Sequence, residues 1–214
     1  MHMTDTFQNL PAEKQARVLR AAGDEFARHG YENAKMSEIA AAAGVSVGSL
    51  YKYFDHKQDM YLHVIHRSIA EMEQLLTILS TTKDDILLKA ERIIREIQRF
   101  SRGNSLLMKL YSGATAQNDP EMAAYFAREI ETTSARIYSQ AIREAQAAGD
   151  IRPDIDPDFS AFLLHSLFMM LQFSYACEYH KERLKLYVPE ETRENTRDDF
   201  VVEQMLKFLK NGLR

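Results

Sequence analysis

Tryptophan is absent from this chain of 214 residues, cysteine occurs once, and there are only five prolines and eight glycines. The single thiol, Cys177, excludes an internal disulfide and fits a reducing compartment. Excess positive charge is lacking too: 27 Lys/Arg face 31 Asp/Glu, a formal net charge of -4. No charged-then-apolar pattern runs from Met1 to Leu10, so nothing there directs export, and a cytoplasmic location is expected. The most apolar stretch, Phe159 to Ala176, is interrupted by Ser160, His165, Ser166, Gln172 and Ser174, which marks a buried helix rather than a membrane span. There is no nucleophile elbow, Gly-rich phosphate loop or framed acidic pair, so no catalytic residue is assigned and no cofactor or metal is expected. Strand alternation, an internal repeat and a Ser/Gly-rich linker are missing as well. What remains is an all-α chain, 45% hydrophobic and large enough for a real core.

The informative segment is Met36–Phe54. Ile39, Ala40 and Ala43 give a short first helix an apolar face, and Gly44 supplies a left-handed stop. Val45 plugs the corner, and Ser46 is a good N-cap for a second helix from Val47 to about Phe54. Two helices joined by so tight a turn form a helix-turn-helix unit, whose second helix fits a major groove. The partner implied is double-stranded DNA.

From about Lys14 to Ser68 the chain resembles the N-terminal domain of the TetR family of one-component transcriptional regulators. The matching residues are Val18–Ala22, Phe26, Gly30-Tyr31, Glu38–Ala40, Ala43–Ser46, Gly48–Tyr51, Tyr53-Phe54, Lys57 and Met60. The resemblance implies an N-terminal three-helix helix-turn-helix domain over residues 11–56. A helical ligand-binding and dimerisation domain would fill 57–214, joined by a continuous helix starting near residue 56. It also implies a homodimer, a small-molecule effector and a role as repressor. Gly48 would allow close backbone approach to DNA. Tyr51 and Lys52 would reach base edges or phosphates, Ser49 and Tyr53 the backbone, and Lys57 a phosphate at a helix N-terminus. Two departures from the family pattern bear on this. Lys35 stands where a Ser or Thr cap is usual, which removes the cap and offers a point charge to a phosphate. Val47 stands where a polar residue is common and could meet a thymine methyl. Residues 1–67 hold eight Lys/Arg and eight Asp/Glu, so useful DNA affinity needs two copies of the domain.

The remaining segments read as amphipathic helices. Phe159, Phe162, Leu163, Leu164, Leu167, Phe168, Met169, Met170, Leu171 and Phe173 leave no polar face on the helix that Asp156-Pro157 opens and that ends near Leu186. Such a helix lies at the centre of a bundle, or it divides its faces between a dimer partner and a cavity, as the resemblance implies. The interface would then use Phe168, Leu171, Tyr175, Phe200, Met205 and Phe208. Met108, Tyr111, Met122, Tyr125, Phe126, His165, Met169 and Phe173 could line a soft pocket with His165 as its polar handle. Cys177 and His180 make only half of a tetrahedral metal set, and His63 and His66 are expected to be exposed. The alternative to a regulator is a helical enzyme or adaptor that uses the C-terminal cavity.

Overall fold

The computed structural model of the chain describes residues 4–80, 84–103, 105–115, 120–188 and 196–213. Among the described residues there are eleven α-helices and no strand. They are α1 (Asp5–Gln8), α2 (Ala12–Asn33), α3 (Met36–Ala43), α4 (Val47–Tyr53), α5 (Lys57–Ser80), α6 (Ile86–Gly103), α7 (Ser105–Thr115), α8 (Pro120–Ala148), α9 (Pro157–Ala176), α10 (Glu178–Tyr187) and α11 (Arg197–Leu213).

Two compact units result: Met1–Glu71 with Lys109–Phe126, and Met72–Met108 with Ala127–Arg214. The boundary near residue 56 therefore moves into α5. Its cause is the apolar face of the first turns of that helix, where Met60, Tyr61, Val64 and Ile65 are buried. The Tyr61 hydroxyl also donates to the Leu110 carbonyl at 3.2 Å, which ties the second part of α7 to this unit. Val18, Ala22 and Phe26 of α2 and Ile39 and Ala40 of α3 complete the core. Each large side chain so buried stabilises the fold by about 1.5–3 kcal/mol. Gly30, at φ 73, interrupts α2 one turn before its end. The short helix α1, which no periodicity announces, anchors itself through the fully buried Phe7.

In the second unit α6 packs against both α9 and α11. Asp85 caps α6 by accepting from the backbone N–H groups of Leu87 and Leu88 at 2.8 and 3.0 Å. Ile94, Ile142 and Phe168 are fully buried at the centre. The Gln98 amide donates to the Tyr175 hydroxyl and to the Asp198 carbonyl, both at 3.0 Å, and so fastens α6 to α9 and α11. Gly149, at φ 78, closes α8 as its place after a long helical pattern suggests. The helix read from 157 to about Leu186 is in fact two. Cys177 takes extended backbone angles, with its N–H bonded to Phe173 O at 2.8 Å to end α9. Its carbonyl accepts from Lys181 N at 2.9 Å to begin α10. At the far end, α11 runs through Asn211-Gly212 to Leu213.

Candidate nucleic-acid interface and effector cleft

The turn between α3 and α4 is built by local bonds. Gly44 sits at φ 64, ψ 40, with its N–H on Ala41 O at 3.2 Å, and Val45 N–H reaches Ala40 O at 3.0 Å. Ser46 caps α4 by accepting from Ser49 N–H at 3.0 Å, and the two hydroxyls lie 2.8 Å apart. Arg17 adds a bond that no local pattern signals: its Nε–H donates to Ala43 O at 2.9 Å, which holds the end of α3 to α2. At the other end of α3, Lys35 is an N-cap without a side-chain bond, and its backbone N–H donates instead to the Glu25 carboxylate at 3.0 Å.

Leu50 and Tyr53 turn α4 into the domain, leaving Val47 (38% exposed), Gly48, Tyr51 (51% exposed) and Lys52 on its outer face. Ser49 is half-buried with its hydroxyl on Ser46. Tyr53 is a correction: it is buried, with its ring 5.7 Å from that of Phe7, so its side chain does not face a groove. The Lys35 side chain is exposed, whereas Lys57 is engaged within the subunit. Its ammonium donates to Glu32 O at 3.0 Å and lies 5.0 Å above the Tyr31 ring. The start of α5 is held by Asp59, which accepts from His56 N–H at 3.0 Å.

His63 also departs from expectation. Its ring packs 6.1 Å from those of both Phe7 and Phe54. Burial, with help from Arg67 and His66, holds its pKa below the ordinary histidine value. His66 is likewise half-buried rather than exposed.

In the second unit α8 and α9 border a cleft of about 480 Å³. His165, Met169 and Phe173 line it, joined by Glu131, Ser139 and Phe162. His165 Nδ1 lies 3.4 Å from a Glu131 oxygen, and its ring stacks on Tyr138 at 5.1 Å. Burial lowers the His165 pKa while Glu131 opposes the shift. No Lys or Arg is among the described lining residues. Asp158, also on the lining, meets Arg143 at 2.6 Å. Met108 is not among the described lining residues; it is buried beside Ala176 in a cluster that Phe173 packs against. Tyr111 and Tyr125 belong to the first unit, and the side chains of Met122 and Phe126 lie outside the described residues. Among the described residues no three His, Cys, Asp or Glu side chains gather, and His180 stacks on Phe173 at 5.5 Å.

The residues expected at a dimer interface divide. Phe168, Leu171 and Tyr175 are buried in the subunit's own core and so are corrected to core positions. Phe200 is half-buried, and Met205 packs against that core. Phe208 is 68% exposed. The outward face of α9 is instead made by Phe159, Phe162, Leu163, Leu167 and Met170, with Phe162 63% exposed. The sequence contains this stripe, but a helix apolar in every direction does not say which side turns inward.

Residues 18–64 match the model of the bacterial regulatory proteins of the tetR family. The chain is 25% identical over 168 residues to the HTH-type transcriptional regulator UidR of Escherichia coli (strain K12), an alignment covering 77% of this chain and 83% of UidR. Its fold matches that of the transcriptional regulator FadR from Bacillus subtilis in complex with stearoyl-CoA, with a TM-score of 0.74, 17% identity, and coverage of 93% and 99% of the two chains. It also matches AibR in complex with isovaleryl coenzyme A and operator DNA, with a TM-score of 0.64, 19% identity, and coverage of 91% and 97%.

Proposed function

The chain belongs to the tetR family of bacterial regulatory proteins, and on that basis we propose that it is a homodimeric repressor released from DNA by a small molecule. Each subunit would lay α4 in one major groove of a palindromic operator. The observation that carries this reading is the division of α4: Leu50 and Tyr53 fix it to the domain, while Val47, Gly48, Tyr51 and Lys52 stand free on one side. Tyr51 and Lys52 bring donors to base edges, and Val47 brings apolar contact for a thymine methyl. Lys35 would contribute a phosphate contact. Lys57 would do so by exchanging the Glu32 carbonyl for a phosphate oxygen. Repression follows from occupancy, because a dimer seated on both half-sites excludes other proteins from the same duplex.

Dimerisation would use the outward stripe of α9 together with Phe208 of α11, a contiguous kind of apolar surface that soluble monomers rarely leave uncovered. The α8–α9 cleft would take the effector. AibR and FadR are described with coenzyme A thioesters. Here the described lining is Met, Phe and small residues around the His165–Glu131 pair and Asp158, with no Lys or Arg among them. We therefore favour a largely apolar or aromatic effector with at most one charged group. The test is selection from a random duplex pool by the wild-type chain at low salt. Enrichment of a palindromic sequence supports the reading, and a pool that stays random contradicts it.

A further inference from the structure

The recognition helix α4 is only seven residues long, too short to hold its conformation alone. Its N-terminus is capped by Ser46, but its C-terminus has neither a glycine nor a capping side chain of its own. The open carbonyls there are met by a residue 48 positions away in the chain. Thr4 donates its hydroxyl proton to Lys52 O at 2.7 Å and shares it with Tyr53 O at 3.1 Å, and its N–H lies 3.4 Å from Tyr53 O. Three residues on, the fully buried Phe7 packs against Tyr53, Phe54 and His63 of α5. The far end of this arm is tied down as well, since the Gln15 amide of α2 donates to Gln8 O and Leu10 O at 3.0 and 2.8 Å.

We propose that Thr4–Leu10 is a strap that sets the pose of α4 against α2 and α5, with Thr4 and Phe7 as positioning residues for sequence readout. The inference rests on the reading of α4 as the DNA-contacting helix. Lys52 is the point of leverage: Thr4 holds its carbonyl while its side chain faces outward. Reading a base edge demands placement within about 0.5 Å, whereas a charge near a phosphate tolerates more play. Loosening the strap therefore removes discrimination before it removes general affinity for DNA.

The test uses the full-length chain and two probes: the duplex that wild type enriches from a random pool, and a scrambled duplex of the same composition. Thr4→Val keeps the shape and deletes the donor, and Thr4→Ser restores the donor. Phe7→Leu shrinks the packed side chain while keeping it apolar. Thr4→Val should weaken binding to the enriched duplex by about tenfold and leave the scrambled duplex within about twofold of wild type. Thr4→Ser should recover wild-type binding, and Phe7→Leu should repeat the selective loss. Wild-type affinity of Thr4→Val for the enriched duplex overturns the proposal. Equal loss on both duplexes, or no rescue by Thr4→Ser, overturns it too. A wild-type chain that enriches no duplex at all removes the DNA-binding reading, and this inference with it.

Discussion

Replacing Gly48 by alanine should make the protein more stable and a worse DNA binder. Gly48 is the second residue of α4 and has no positive φ. A Cβ placed on it meets nothing closer than the Ser46 hydroxyl at 3.9 Å, an ordinary van der Waals distance. No strain offsets the gain in helix propensity, which is about 0.5–1 kcal/mol for glycine to alanine. For a chain of this size that raises the melting temperature by about 1–4 °C. The same methyl group stands on the exposed face between Val47 and Tyr51, where the proposed docking brings the backbone close to DNA. Overpacking of that kind costs about 1–3 kcal/mol, a loss of roughly 5- to 150-fold in operator affinity. Gly44→Ala is the control of opposite sign. Its φ of 64 strains any side chain, although nothing lies within 4 Å of the added Cβ, so it should destabilise by about 1–2 kcal/mol. Differential scanning fluorimetry and fluorescence anisotropy on the selected operator read both quantities. If Gly48→Ala gains stability yet binds operator as tightly as wild type, α4 does not approach DNA at this position, and the docking argument fails.

Three further outcomes follow from the same physics. Leu163→Glu with Leu167→Glu lies on the exposed stripe of α9 and outside the cleft lining, so sedimentation velocity should show folded monomers. Phe168→Ala, in the subunit core, should instead lose about 3–5 kcal/mol of folding stability. His63 should make stability pH-dependent, because burial keeps its folded pKa below 6.5 while the unfolded chain takes up the proton near that value. Stability is full above about pH 6.5 and falls as the pH drops through the folded pKa, and His63→Phe should flatten the slope in thermal melts across pH 5–8. Met169→Trp should fill the α8–α9 cleft and block effector-driven release while operator affinity, measured by anisotropy, stays unchanged. An unaltered release would place the effector elsewhere.

What was legible in the sequence is what local chemistry encodes. Gly44 and Ser46 announce the turn and the cap within a few residues, and both are found where the pattern puts them. Gly149 and Asp156-Pro157 mark helix ends for the same reason. Thr4, Phe7 and Arg17 were not legible, because their partners lie tens of residues away and a four-residue helix carries no periodicity. Tyr53 misled because a tyrosine in a seven-residue helix is equally consistent with a polar tip facing DNA and a ring in the core. The orientation of α9 failed more fundamentally. With apolar residues on every side, only packing against neighbours, α6 and Tyr138 of α8 among them, decides that Phe168, Leu171 and Tyr175 point inward and Phe162 and Leu167 outward. The break at Cys177 carries no proline or glycine and was invisible for that reason.

The central claim is that two copies of α4 read one duplex in adjacent major grooves. A hydroxyl-radical footprint of the wild-type chain on its selected operator, with the protein-to-duplex ratio measured in the same sample, tests it most directly. Two subunits per duplex and two symmetric protected sites about 34–36 Å apart, or a multiple of that spacing, are expected. A single protected site, one subunit per duplex, or protection that ignores sequence would contradict it.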